Sequence, residues 1–208
     1  MSKSKLTKAP WLQLCLIALL VAAASGLWLG QFMSTPQSSE QHLAIDRPTV
    51  RDFSLTNTEG QTVSLLTYRG KWLLMFFGFT MCPEACPLAM QTVSATLEDM
   101  GEVGKSIQPV FVTIDPERDT PAVLRDYLAN FSDNIVGLSG SADETAGIAK
   151  LYGVYYRKRP LGNDYTMDHS TALYLVAPDG AYMRPFRADL DASELAADIA
   201  TEIQAWKK

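Results

Sequence analysis

The chain has 208 residues, 47% of them hydrophobic, with ordinary Gly and Pro usage, which is enough for one domain with a substantial buried core. Its formal net charge of -5 excludes the basic face that a nucleic-acid binder presents. The charge is uneven: the first 33 residues hold Lys3, Lys5 and Lys8 and no acid, so the remainder carries -8.

Residues 1–10 precede an uncharged apolar run, Trp11 to Met33, long enough to cross a bilayer core of ~30 Å at ~1.5 Å per residue. Trp11 and Trp28 stand near its ends, where aromatic side chains favour the membrane interface. Lysines on the short N-terminal side predict residues 1–10 in the cytoplasm and all that follows Met33 outside the cytoplasmic membrane. A cleaved signal peptide is the competing reading, through the small residues Ala22 to Ser25, but the apolar run continues past them through Leu27, Trp28 and Leu29. Cys15 lacks the small residues that precede a lipidated cysteine and reads as a lipid-facing apolar side chain. The Arg-rich pattern of an organelle transit peptide is absent. The expected location is therefore a bacterial inner membrane, crossed once, with the globular domain in the periplasm.

Residues 34–46 are polar and unpatterned and read as a linker; His42 within it reads as a solvated side chain. A single domain is expected over 47–208. "DFSLTNTEGQTVSL" alternates apolar and polar residues about Glu59-Gly60, a hairpin signal. "KWLLMFF", Lys71 to Phe77, is the continuous apolar run of a strand buried on both faces. "CPLAMQTVSATLEDM" carries helix-period apolar residues, and "IQPVFVTID" is a second buried strand ending at Asp115. A helix then opens with Thr120 as N-cap and Pro121 at its first position. The next has a capping box, Ser141 with Glu144, and Gly153 as its stop. "TALYLVAPDGAYMRPF" reads as a strand, a Pro-Asp-Gly turn and a return strand, and a helix capped by Asp191 and Glu194 closes the chain. Strands alternating with helices imply an α/β domain with a mixed sheet covered on both faces.

Chemistry concentrates in "FFGFTMCPEACPLAM". Cys82 and Cys86 lie at the mouth of the helix after the first buried strand, and a helical i, i+4 spacing puts both sulfurs on one face, Cβ atoms ~5–6 Å apart. A helix N-terminus favours thiolate over thiol, and Pro83 and Pro87 stiffen the loop. A purely structural disulfide across so short a loop would stabilise weakly. Three functional readings stand. A dithiol-disulfide oxidoreductase usually has two residues between its cysteines; here there are three, although Cα atoms ~6 Å apart permit a disulfide. A peroxidase wanting P-x-x-x-T-x-x-C finds no proline at the required position, and Thr80 stands only two residues before Cys82 instead of three. A metal site needs a third ligand, which His169 in "DYTMDHSTALYL" supplies, from a polar approach to the strand Ala172 to Val176. Two thiolates and an imidazole suit Cu(I), while Cu(II) would complete its set with water or an oxygen such as that of Asp115. Structural zinc would want a fourth protein ligand. Met81 reads as a packing side chain, with a soft neighbour to the site as the alternative.

"FFGFTMCPEACP", "VTIDPERDTP" and "DYTMDHSTALYLVAPDG", in that order and spacing, resemble the Sco/SenC family of copper chaperones for cytochrome oxidase assembly. The resemblance runs from the Asp52 hairpin to the last helix and includes the anchor. It implies a thioredoxin-like fold behind an N-terminal transmembrane helix, and one copper ion, Cu(I) or Cu(II), held by Cys82, Cys86 and His169. It makes Asp115 and Asp168 candidates to support the ligands, Asp168 by orienting His169. It further implies delivery of copper to the binuclear copper site of cytochrome c oxidase subunit II, or reduction of the cysteines there, with other copper chaperones as further partners. Phe79 and Met81 depart from the commonest motif, which often has Tyr and His at those positions. Two functions therefore stand: a metallochaperone, which needs His169, and a thiol-disulfide oxidoreductase cycling Cys82 and Cys86, which does not.

Overall fold

The computed structural model describes residues 53–206. The anchor expected over Trp11 to Met33, the linker, Cys15 and His42 lie outside the described residues, among which no helix is long and apolar enough to cross a membrane. Leu55–Asn57 (β1) and Thr62–Val63 (β2) form the anticipated hairpin. Its turn is held by the Asn57 side-chain oxygen, which accepts the backbone N–H groups of Glu59 and Gln61. Gly60 takes a φ of 77°, which a side chain would oppose.

Trp72–Gly78 (β3) is buried at every position. Ala85–Asp99 (α1) and the one-turn Glu102–Lys105 (α2) lead to Ile107–Thr113 (β4). Pro121–Leu128 (α3) starts as its sequence predicts, the Thr120 hydroxyl accepting from Val123 N–H with Pro121 next. A four-residue strand, Val136–Ser139 (β5), follows. Ala142–Tyr152 (α4) has the full Ser141–Glu144 capping box and ends on Gly153 in the left-handed region. Tyr156–Leu161 (β6) and Asp164–His169 (β7) then pair as a ribbon, before Ala172–Val176 (β8), Tyr182–Arg187 (β9) and Ala192–Trp206 (α5).

The main sheet runs β2-β1-β5-β4-β3-β8-β9. β3, β4 and β5 are parallel, while β1, β8 and β9 join antiparallel, so the sheet is mixed. Side chains alternate faces along a strand, and both faces of β3 are covered. Trp72 meets Trp206 of α5 edge-on, ring centroids 5.3 Å apart, and Phe77, of the other face, meets Tyr152 of α4 at 5.7 Å. Gly78 stands beside Thr113 at the C-terminal ends of β3 and β4, and antiparallel β8 begins at the same edge, Leu173 opposite Phe76. The loops leaving β3 and β4 and the segment entering β8 therefore converge there. In open α/β sheets that edge is where ligands bind.

The β6–β7 ribbon is the main departure from the sequence reading, which gave this segment as a polar approach. Arg157, Lys158 and Arg159 leave β6 exposed, so no apolar alternation betrays it. The pair Gly162-Asn163 at its tip is the one hairpin signal.

A candidate metal centre

Cys82 lies outside α1. The helix begins at Ala85, with Glu84 as N-cap making no side-chain capping bond. The backbone N–H of Cys86 instead donates to Cys82 Sγ at 3.4 Å, so a sulfur serves one of the donors that a helix start leaves open. Pro87 removes another such donor, having none. The spacing of the two cysteines still brings their sulfurs together, through a loop-to-helix contact rather than through helical i, i+4 neighbours. The loop is fixed from below: Thr80 donates both its backbone N–H (3.0 Å) and its hydroxyl (2.6 Å) to the carboxylate of Asp119, and Cys82 N–H donates to Phe79 carbonyl oxygen.

His169 ends β7 and reaches the pair from the other side of the sheet edge. Its Nε2 lies 3.6 Å from Cys86 Sγ. Its Nδ1 is 2.9 Å from the carbonyl oxygen of Ser170. A carbonyl only accepts, so Nδ1 carries the proton and Nε2 presents its lone pair to the sulfurs. Phe76 and Phe79 meet the imidazole edge-on, at 6.1 and 5.7 Å between centroids. The three ligand atoms of Cys82, Cys86 and His169 lie within 4.8 Å of one another, the one such group of metal-capable side chains among the described residues.

The two thiols are unequal. The hydrogen bond from the Cys86 thiol pulls Cys82 down to about 4, against burial, with smaller help from the backbone N–H groups of Cys86 and Glu84. Cys86, fully buried, is pushed up by that same bond, which holds its proton, by desolvation and by the adjoining Cys82 thiolate. Cys82 is therefore a thiolate at neutral pH, and Cys86 holds the proton between them. Donor chemistry and spacing fit a soft metal: two sulfurs and one unprotonated nitrogen converge on one point with aromatic walls.

The two carboxylates named from the sequence stand elsewhere. Buried Asp115 accepts from Arg118 Nε and, at 2.8 Å, from the Tyr165 hydroxyl. Asp168 does not orient His169. Neighbours in a strand face opposite ways, and its carboxylate meets Arg157 at 3.2 Å and Arg159 at 2.9 Å on the far face of the ribbon. Ser170 supplies the bond that fixes the imidazole. Met81 is 62% exposed, which rules out an internal packing role. The residue that sequence reasoning missed is Asp119. Fully buried, it accepts from Thr80 twice and from the Thr113 hydroxyl at 2.6 Å, tying the thiol loop to the end of β4.

The model of the SCO1/SenC family matches residues 42–204. The chain belongs to the SCO1/SenC family. It is 36% identical over 160 residues to the human mitochondrial SCO1 homolog, covering 75% of this chain and 53% of that protein, so it spans about half the length of that relative. The solved structure of Bradyrhizobium japonicum ScoI with copper bound is 38% identical, with a TM-score of 0.67, covering 73% of this chain and 98% of that one. BsSco, described as a member of the Sco family of cytochrome c oxidase assembly proteins with a disulfide switch, is 26% identical at a TM-score of 0.61, covering 74% and 92%. The architecture of the Sco domain here is thus the thioredoxin-like α/β fold of the family, with its mixed sheet and flanking helices.

Proposed function

We propose that this Sco protein is a copper chaperone in which Cys82 Sγ, Cys86 Sγ and His169 Nε2 hold one copper ion as cargo. It passes that ion to the binuclear copper site of cytochrome c oxidase subunit II, receiving it from other copper chaperones. The convergence of the three ligand atoms within 4.8 Å carries the reading, and the copper-bound Sco relative supports the choice of metal. Cys82 offers a ready thiolate and His169 a neutral nitrogen. Cys86 gives up its proton as its sulfur takes the metal, since ligands must be deprotonated to bind. Two thiolates and Cu(I) leave a charge of -1, which the N-terminus of α1 partly offsets. The apolar run Trp11 to Met33 supports a single-pass anchor in a bacterial inner membrane, with the domain in the periplasm beside its membrane-bound recipient.

A second reading, thiol-disulfide exchange on that or another envelope protein, is favoured by the asymmetry of the pair. Cys82 is the attacking thiolate, and buried Cys86, held against it, is the resolving thiol. The disulfide switch described for BsSco is consistent with it. His169→Ala separates the two. The chaperone reading predicts that copper affinity falls by at least a hundredfold while oxidation of Cys82 and Cys86 to a disulfide proceeds nearly as in the parent chain. Copper affinity unchanged in His169→Ala would overturn the three-ligand site.

A further inference from the structure

His169 is set by a ribbon that the main sheet does not hold. β6 and β7 pair only with each other, and an isolated two-stranded ribbon is marginal in water. At the base of the ribbon, Ser170 N–H donates to the Tyr155 carbonyl oxygen at 2.9 Å and Tyr155 N–H donates to the Ser170 hydroxyl at 3.2 Å. These bonds close the base of the ribbon on itself. Its polar ties to the rest of the domain lie further out. Tyr165, Met167 and His169 share one face of β7, and Met167 is buried, so that face meets the domain.

Four residues before His169, ~13 Å along the strand, Tyr165 is gripped from several directions. Its hydroxyl donates to Asp115 Oδ1 at 2.8 Å, and its carbonyl oxygen accepts from Arg118 Nη1 at 3.0 Å. The Arg118 guanidinium lies 3.7 Å from its ring centroid, and the Lys158 ammonium, itself paired with Glu117 at 2.8 Å, lies 3.9 Å from it. Arg118 also closes on Asp115 through Nε. Asp115 in turn takes its backbone N–H to the Thr113 hydroxyl, which donates to Asp119, the anchor of the thiol loop. One hydrogen-bonded path, buried at its middle and part-buried at its ends, thus runs from the Cys82 loop through the loop after β4 to the ribbon that carries His169.

We propose that Tyr165 and Arg118 are positioning residues for copper, fixing the distance between His169 and the thiol pair without touching the metal. This rests on the copper reading above. The test measures Cu(I) affinity of the reduced full chain by competition with a chromophoric Cu(I) chelator, in Tyr165→Phe and Arg118→Lys, each with and without His169→Ala. Tyr165→Phe keeps the ring and deletes only the bond to Asp115; Arg118→Lys keeps the charge and serves equally should the first variant not fold. Each single change is expected to weaken copper binding about tenfold, as loss of a residue that orients a ligand does, and to weaken it no further once His169 is already Ala. Binding at the parent affinity overturns the proposal, as does an equal tenfold loss in the absence of His169, which marks a general structural role. If His169→Ala alone binds as tightly as the parent, the three-ligand reading falls and there is nothing to position. If it binds weakly while both single variants match the parent, the reading stands and the positioning role falls.

Discussion

Cys86 donates hydrogen bonds to Cys82 from both its backbone N–H and its thiol, so two chemically identical side chains become a thiolate and a protonated, buried partner. Because Cys82 titrates at about 4, its reactive form is fully present from pH 6 to 9 and is lost only as pH falls through about 4. Alkylation of the reduced protein with iodoacetamide is therefore expected to label Cys82 alone, at a rate nearly flat between pH 6 and 9 and falling tenfold per unit below pH 4. Equal labelling of Cys86, or a midpoint near 8 to 9 for Cys82, would contradict this asymmetry. Which residues make the site was legible in the sequence for a chemical reason: thiols and imidazoles are few, and His169 is the one histidine in residues 47–208. Asp119 was illegible for the opposite reason. Carboxylates are common, and one becomes a buried anchor only where folding brings Thr80 and Thr113 onto it.

At the scale of elements, β3 does more than fill the core. Its last residue, Gly78, has a hydrogen where a Cβ would stand 2.8 Å from Cys86 Sγ, 2.8 Å from the Phe76 ring and 3.0 Å from the Phe111 ring. Both rings are fully buried, so neither can give way easily. Gly78→Ala is expected to destabilise the domain by about 1–3 kcal/mol, as overpacking does, read as a lowered midpoint of urea unfolding, and to weaken copper binding by displacing Cys86. An unchanged midpoint would mean that the strand end yields. The helices and hairpins that the sequence did reveal carry local chemistry that needs no tertiary contact: the turn at Gly60, Pro121 behind Thr120, and the reciprocal bonds of Ser141 and Glu144. The β6–β7 ribbon had no such mark. Its strands are tied to the loop after β4 by ion pairs, Lys158 to Glu117 and Asp164 to Arg118, and Met167 is its one buried side chain. The loop position of Cys82 was hidden likewise, since helix periodicity does not show where the first turn begins.

Across the whole molecule, topology explains why residues 82, 86 and 169 meet. Parallel β3 and β4 send their following loops to one edge, and antiparallel β8 draws its preceding segment to the same edge. The thiol loop, the Asp115–Asp119 loop and the histidine ribbon then lock through one connected set of hydrogen bonds. A dithiol exchange enzyme needs only the first of these segments; a metal carrier needs the first and the third at a fixed separation. The decisive measurement is anaerobic titration of the reduced full chain with Cu(I), following bound metal and released protons together, beside Cys82→Ala and His169→Ala. One copper per chain, released with close to one proton at pH 7.5 because Cys86 alone still holds one, and lost as tight binding in both variants, is the predicted result. No stoichiometric binding, with Cys82 and Cys86 still cycling readily to a disulfide, would contradict the copper site and leave a thiol oxidoreductase.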